Sequence, residues 1–170
     1  MMGFGTVIAS IISVAILILT FYVCSYGGFY MADLLANSVI EMQENKDEIL
    51  KTGIKITNIY VDESEVFVSL NNTGSIKIGD YDYIDVIVKY SNTSGTAKTI
   101  WIPYQEDTST SQSRWTVRNI SPDLVNPGIF DPGEEMELKI LLEDPLKKES
   151  VNWIMVAAPN GVKTSGYFNA

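Results

Sequence analysis

Two acidic runs are the first places where residue type and spacing suggest chemistry. "DYDYID" sets Asp80, Asp82 and Asp85 close together, and "FDPGEEME" gathers Asp131, Glu134, Glu135 and Glu137. Carboxylates grouped in this way do acid–base work or hold a hard cation. An EF-hand loop needs a fixed ligand order around a central glycine with a closing Glu, and neither run has it. On a strand Asp80 and Asp82 share one face while Asp85 takes the other, so the three do not converge. The plainer reading is solvated strand ends and turns, with "DPGE" as a turn feeding a strand and weak calcium binding as the alternative. The chain has no histidine, and its one cysteine, Cys24, sits in an apolar run. That removes the usual general base, the commonest metal ligand, the Ser–His and Cys–His nucleophile pairs and any intrachain disulfide. No Gly-rich phosphate loop, HExxH or GxSxG motif occurs. The expectation is a protein that is not an enzyme and has no catalytic, cofactor or metal residues.

The elements that position these residues begin with "MMGFGTVIASIISVAILILTFYVC". No charged side chain precedes Asp33. A bilayer core about 30 Å thick needs roughly 20 apolar residues in helix, and the stretch from Thr6 to Tyr26 supplies them. Thr6, Val7, Ile8, Ile11, Ile12, Val14, Ile16, Leu17, Leu19 and Phe21 form the predicted membrane anchor. Tyr22, Tyr26, Phe29 and Tyr30 crowd one end, as an aromatic belt at a membrane boundary does. A secretory signal brings a basic start and a shorter apolar core; a pilin-like leader brings basic residues ahead of its glycine. "MMGFG" carries no Lys or Arg, so the expectation is an uncleaved anchor. From Met31 to Lys51, Leu34, Leu35, Val39, Met42 and Ile49 recur at helical spacing, which predicts a helical stalk. Its stripe packs either on its own domain or on a partner helix, and Gly53 is the predicted cap.

From Ile54 the period changes from helical to alternating. "IKITNIYV", "EVFVSLNNTG", "YDYIDVIVKYS", "KTIWIPY", "RWTVRNI", "EMELKILL", "VNWIMVAAP" and "VKTSGYF" read as short strands split by turn residues. Ile84, Val86 and Val88 share one face opposite Asp85 and Lys89; Met136, Leu138, Ile140 and Leu142 face in. Asn160-Gly161 predicts a type I′ hairpin. Seven or eight such strands predict a two-sheet, immunoglobulin-like β-sandwich, with Trp101, Trp115 and Trp153 as core candidates. The fold class is thus an N-terminal transmembrane α-helix with a helical stalk, residues 1–52, followed by an all-β sandwich over residues 53–170. Acidic residues outnumber basic ones by 21 to 12 for a net charge of −9. That suits a soluble exposed domain and argues against nucleic acid as a partner.

Three sequons, at Asn71, Asn92 and Asn119, are candidate glycosylation acceptors and favour an extracytoplasmic domain. The polar insertion "QEDTSTSQSR", Gln105 to Arg114, is a loop of the kind that makes partner contacts on a rigid scaffold. Arg114 and Trp115 beside it, with Ile129 and Phe130 in "NPGIFDPG", are the candidate partner contacts; the competing reading of Ile129 and Phe130 is a plug in the core.

An N-terminus "MGFGTVIA", a single anchor-stalk helix and a β-domain carrying "VFVSLNNTG", "NPGIFDPGEEMEL" and "APNGV" resemble the archaeal archaellum accessory family FlaF (ArlF), with the related FlaG similar in outline. The insertion at 105–114 has no counterpart in that pattern. The resemblance implies a non-enzymatic stator part without a cofactor. It implies anchoring in the cytoplasmic membrane as a single-pass protein, with the β-domain on the extracellular, pseudoperiplasmic side. The implied partners are S-layer glycoprotein and a FlaG-like archaellum protein, with a homo-oligomer left open. Two other readings stay open: a filament-forming subunit, archaellin-like or a FlaG-like rod, and a membrane-tethered adhesion domain unrelated to motility.

Overall fold

The computed structural model describes residues 3–62, 64–106 and 113–170. The loop expected at Gln105 to Arg114 falls largely on residues 107–112, outside the described residues. By compactness the chain divides into Met1–Asn45 and Lys46–Ala170.

A single helix, α1, runs Gly3–Lys51 and buries none of its residues. By length and composition it is able to cross a membrane. All ten predicted anchor residues are exposed. The polar residues of the apolar stretch satisfy themselves: the hydroxyls of Thr6, Ser10, Ser13 and Thr20 donate to carbonyls three or four residues back at 2.8–2.9 Å. Such back-bonding is what lets Ser and Thr reside in hydrocarbon at low cost.

The helix ends at Lys51 without the glycine cap expected at Gly53, which does not take a positive φ. The last carbonyls are instead taken by the loop after β2 (Glu65–Asn72): Ser75 N donates to Lys51 O at 2.8 Å and Thr73 N to Gly53 O at 2.8 Å. The two chains meet closely there. A Cβ on Gly74 would lie 2.5 Å from both Gly53 N and Lys51 O, so glycine is needed for contact rather than for conformation. Asn160 Nδ2 donates to Thr52 Oγ1 at 2.6 Å and fastens the same residues from the other sheet.

Two four-stranded antiparallel sheets stack face to face. The first is ordered β1(Ile54–Asp62), β2, β6(Glu135–Leu141), β5(Arg114–Ser121); the second is β4(Ala97–Ile102), β3(Asp85–Ser91), β7(Val151–Ala157), β8(Lys163–Asn169). Alternation decides the faces. Val66, Val68, Leu70, Met136, Leu138 and Ile140 from the first sheet meet Val86, Val88, Ile102, Ile154, Val156 and Phe168 from the second. Each large side chain buried in this way is worth about 1.5–3 kcal/mol.

Two local expectations are corrected. Asp80 and Asp82 are not on a strand: Tyr81–Tyr83 is a 3-10 turn ahead of β3. The β7–β8 hairpin is where "APNGV" predicts it but is not type I′. Only Gly161 has a positive φ, 85°, because Pro159 commits the turn to negative φ; Gly161 N donates to Ala158 O and Ala158 N to Val162 O, both at 2.8 Å. This is a three-residue loop with glycine at the bulge.

Asn72 is the polar hub of the sandwich. It is buried; its Nδ2 donates to Ile76 O at 2.9 Å and Phe130 O at 3.0 Å, and its Oδ1 accepts from Gly74 N at 3.0 Å. Replacing Asn72 by Ala is expected to cost about 1–3 kcal/mol, because Ile76 O loses its donor, while Phe130 O keeps Ile78 N and Gly74 N keeps Gly53 O. The urea midpoint of unfolding reads this directly; an unchanged midpoint contradicts it.

Candidate docking faces of the sandwich

The second acidic run serves the fold, while Asp80 and Asp82 of the first are exposed. Asp131 and Glu134 are buried in one turn, where Asp131 N donates to Glu134 Oε2 at 2.9 Å and Asn126 Nδ2 donates to the Asp131 carboxylate at 3.1–3.2 Å. Glu135 accepts from Thr57 Oγ1 at 3.2 Å. Among the described residues no three His, Cys, Asp or Glu side chains are grouped to hold a metal ion.

The outer face of the first sheet is occupied by its own side chains. Tyr60 stacks on Phe67 with centroids 4.7 Å apart, and the Arg118 guanidinium lies 5.0 Å over the same ring. Tyr60 OH donates to Glu137 Oε1 at 2.8 Å, while Arg118 Nη1 donates to Tyr60 OH and to Glu137 Oε2 at 2.9 Å. Lys139 pairs with Glu65 at 2.7 Å. The hydrogen bond to Glu137 raises the Tyr60 hydroxyl above its ordinary range. Asn71 and Asn119 lie on this sheet as well, Asn71 half-buried opposite Glu135 and Asn119 exposed at the β5 bulge. Asn92 is half-buried in the β3–β4 turn, its Oδ1 accepting from Thr96 N at 2.9 Å.

The second sheet turns a different surface outward. Trp101, Ile87, Met155 and Ser165 form one row across β4, β3, β7 and β8; Thr99, Lys89, Trp153 and Tyr167 form the next. Val151 follows on β7. Trp101 is 56% exposed, Val151 69% and Tyr167 77%. Among the described residues, none covers these three side chains. Asp85 Oδ1 accepts from Trp101 Nε1 at 2.8 Å and fixes that ring's orientation. Beside it a shallow hollow of about 400 Å³ is lined by Lys89, Ser91, Ala97, Val151, Trp153 and Tyr167. Contiguous exposed apolar surface rich in Trp, Tyr and Met marks an interaction site.

The sequence-based contact residues lie elsewhere. Trp115 and Phe130 are fully buried in the core and Arg114 is buried next to Trp115 on β5, so these three are corrected from contact candidates to buried residues. The polar sequence around Trp115 is misleading because its ring belongs to the inner face of β5, against Tyr104 at 4.8 Å. Ile129 is half-buried over Gly79. Conversely, Trp101 and Trp153, read as core candidates, face outward. Their odd positions in alternating strands were the available signal: each is out of phase with Ile102 or Ile154.

Tyr81 closes the end of the sandwich near the Asn72 hub. Its hydroxyl donates to Gly128 O at 2.9 Å, its ring lies 5.9 Å from Tyr104, and burial pushes its pKa up to about 12. In the unfolded chain the phenol ionises near 10.0. The stability it contributes is therefore complete below that pH and declines as pH rises toward 12. Urea unfolding across that alkaline window is expected to show this decline, less steeply in Tyr81→Phe; identical slopes contradict it.

An immunoglobulin-like sandwich thus follows an apolar helix long enough to cross a membrane. Residues 50–165 match the family model described as conserved flagellar protein F, immunoglobulin-like domain, and the chain belongs to that family, an archaellum component of the FlaF/FlaG kind. A protein of Archaeoglobus fulgidus is 29% identical over 170 residues, spanning 99% of this chain and 97% of its own length. Among solved structures, the archaellum periplasmic stator protein FlaG from Sulfolobus acidocaldarius is similar with a TM-score of 0.53 and 21% identity, covering 69% of this chain and 99% of that one. The stator protein complex of FlaF and FlaG from the same organism gives 0.50 and 22%, covering 68% and 87%. The archaeal flagellum of Methanospirillum hungatei strain JF1 gives 0.55 and 13%, covering 99% of this chain and 93% of that one. At these identities the structures speak to fold alone.

Proposed function

We propose that this chain is a stator part of the archaellum motor. Its helix holds it in the cytoplasmic membrane with the sandwich outside, where the domain binds S-layer glycoprotein and assembles with a FlaG-like protein. A rotating filament needs a fixed body to react against, and a membrane-held domain gripping the envelope provides one. Many copies acting together resist torque that a single weak contact does not. The observation that carries this reading is the outer face of the second sheet, an exposed aromatic surface on a sandwich whose two buried carboxylates, Asp131 and Glu134, are tied into a turn of the fold. The candidate acceptors Asn71, Asn92 and Asn119 support it: none lies on that face, so glycans attached there leave it open.

The test is capture of S-layer glycoprotein by the full chain in detergent at the native salt concentration. Retention of the glycoprotein agrees with the proposal, and its absence from the bound fraction removes it.

A second reading, a filament subunit, is favoured by the likeness to the Methanospirillum hungatei flagellum over nearly the whole chain. Both functions use a helix followed by a sandwich, and fold does not decide between them.

A further inference from the structure

The outer face of the second sheet differs from an ordinary protein-binding surface in one respect: a charge stands among its rings. Lys89, on the central strand β3, is directly opposite Trp153, which is itself directly opposite Tyr167. The cores of protein–protein interfaces are depleted in charged residues. Lys89 is exposed and belongs to no ion pair among the described residues, and the same is true of Lys163 on β8. The one carboxylate on this face, Asp85, is engaged with Trp101. On a chain of net charge −9, this face carries two lysines, Lys89 and Lys163, against the single carboxylate of Asp85 on its strands.

Short hydroxyls and small residues border the rings. Thr99 lies at the end of the Lys89 row and Ser165 at the end of the Trp101 row, while Ser91 and Ala97 floor the hollow next to Trp153 and Tyr167. Neighbouring strands are about 4.8 Å apart, so Lys89 stands one strand from the first of two adjacent rings, Trp153 and Tyr167. A pyranose has matching texture, an apolar C–H face with a rim of hydroxyls. The hollow of about 400 Å³ is open on one side and falls at the small end of ligand sites.

We propose that this hollow binds an acidic oligosaccharide. Trp153 and Tyr167 stack on the sugar rings, and Lys89 takes a carboxylate or sulfate group. The inference rests on the reading of the chain as an envelope-gripping protein and names the part gripped, the glycan of the S-layer glycoprotein and not its polypeptide.

Three probes test it on the full chain in detergent: intact S-layer glycoprotein, the same protein chemically deglycosylated, and the released glycans. Tryptophan fluorescence reports the released glycans, and surface capture reports the two proteins. Intact glycoprotein and released glycans are expected to bind, with deglycosylation weakening capture by about tenfold or more. Trp153→Ala and Lys89→Gln are each expected to weaken released-glycan binding by about tenfold with unchanged thermal unfolding, since one stacked ring or one charge-assisted contact is worth that much. Lys89→Arg retains binding. Deglycosylated protein held as tightly as intact protein overturns the glycan inference and leaves the envelope reading standing. Failure of the intact glycoprotein to bind removes the envelope reading and the inference with it.

Discussion

Met155→Glu is expected to abolish capture of the envelope partner while the sandwich stays folded. Met155 lies between Ile87 and Ser165 on the outer face of the second sheet, half-buried by its neighbours and pointing away from the core formed by Ile154 and Val156. A carboxylate there lies diagonal to Lys89 and Lys163, takes up their charge and repels an acidic partner. Truncations at the centre of an interface cost about 2 kcal/mol or more, roughly 30-fold in affinity, and a buried charge exceeds truncation. Thr116→Glu on β5 is the control on the first sheet, and Leu35→Glu is the control on the helix; both are expected to leave capture unchanged. Loss of capture in Leu35→Glu with Met155→Glu intact places the contact on the helix and contradicts the account.

Trp115→Ala is expected to be the most damaging single change to the fold. The ring is completely buried and packs on Tyr104, which packs in turn on Tyr81. Removing so large a side chain costs about 3–5 kcal/mol, a fall in Tm on the order of 10–25 °C for a domain of this size. Trp115→Phe separates packing from hydrogen bonding. Among the described residues the indole Nε1 is buried without a partner, and phenylalanine removes that orphaned donor while keeping most of the volume. Its cost is expected to be a small fraction of that for alanine. Equal losses in the two variants contradict this division.

The period of the side chains made much of this legible. Thirty-two residues without charge announced the helix, and alternation in "YIDVIVKY" and "EMELKILL" assigned inner and outer faces as they stand in the two sheets. What alternation does not carry is which outer face meets a partner, because that depends on strand order. Trp101, Trp153 and Tyr167 are far apart in sequence and become one surface only when β4, β3, β7 and β8 pair. Composition also misleads where a bulky ring is flanked by polar residues: Arg114 and Thr116 made Trp115 look external, though the strand period puts it in phase with Val117. The hairpin at Asn160-Gly161 shows the same limit at short range. The dipeptide marked the turn, but Pro159 before it selected the turn type. Gly53 was read as a cap, and the need for it comes from Gly74 crossing the chain behind the helix, a contact no local pattern encodes.

The family places this chain in the archaellum, and the central claim is that it stays in the membrane as an anchor and does not enter the filament. Mass spectrometry of the chain's N-terminus, in purified archaella and in the membrane–envelope fraction, tests that claim most directly. The account predicts an N-terminus retained at Met1 or Met2, found with the envelope and absent from the shaft. A chain cleaved ahead of Gly3 and present in the shaft as a main subunit contradicts it.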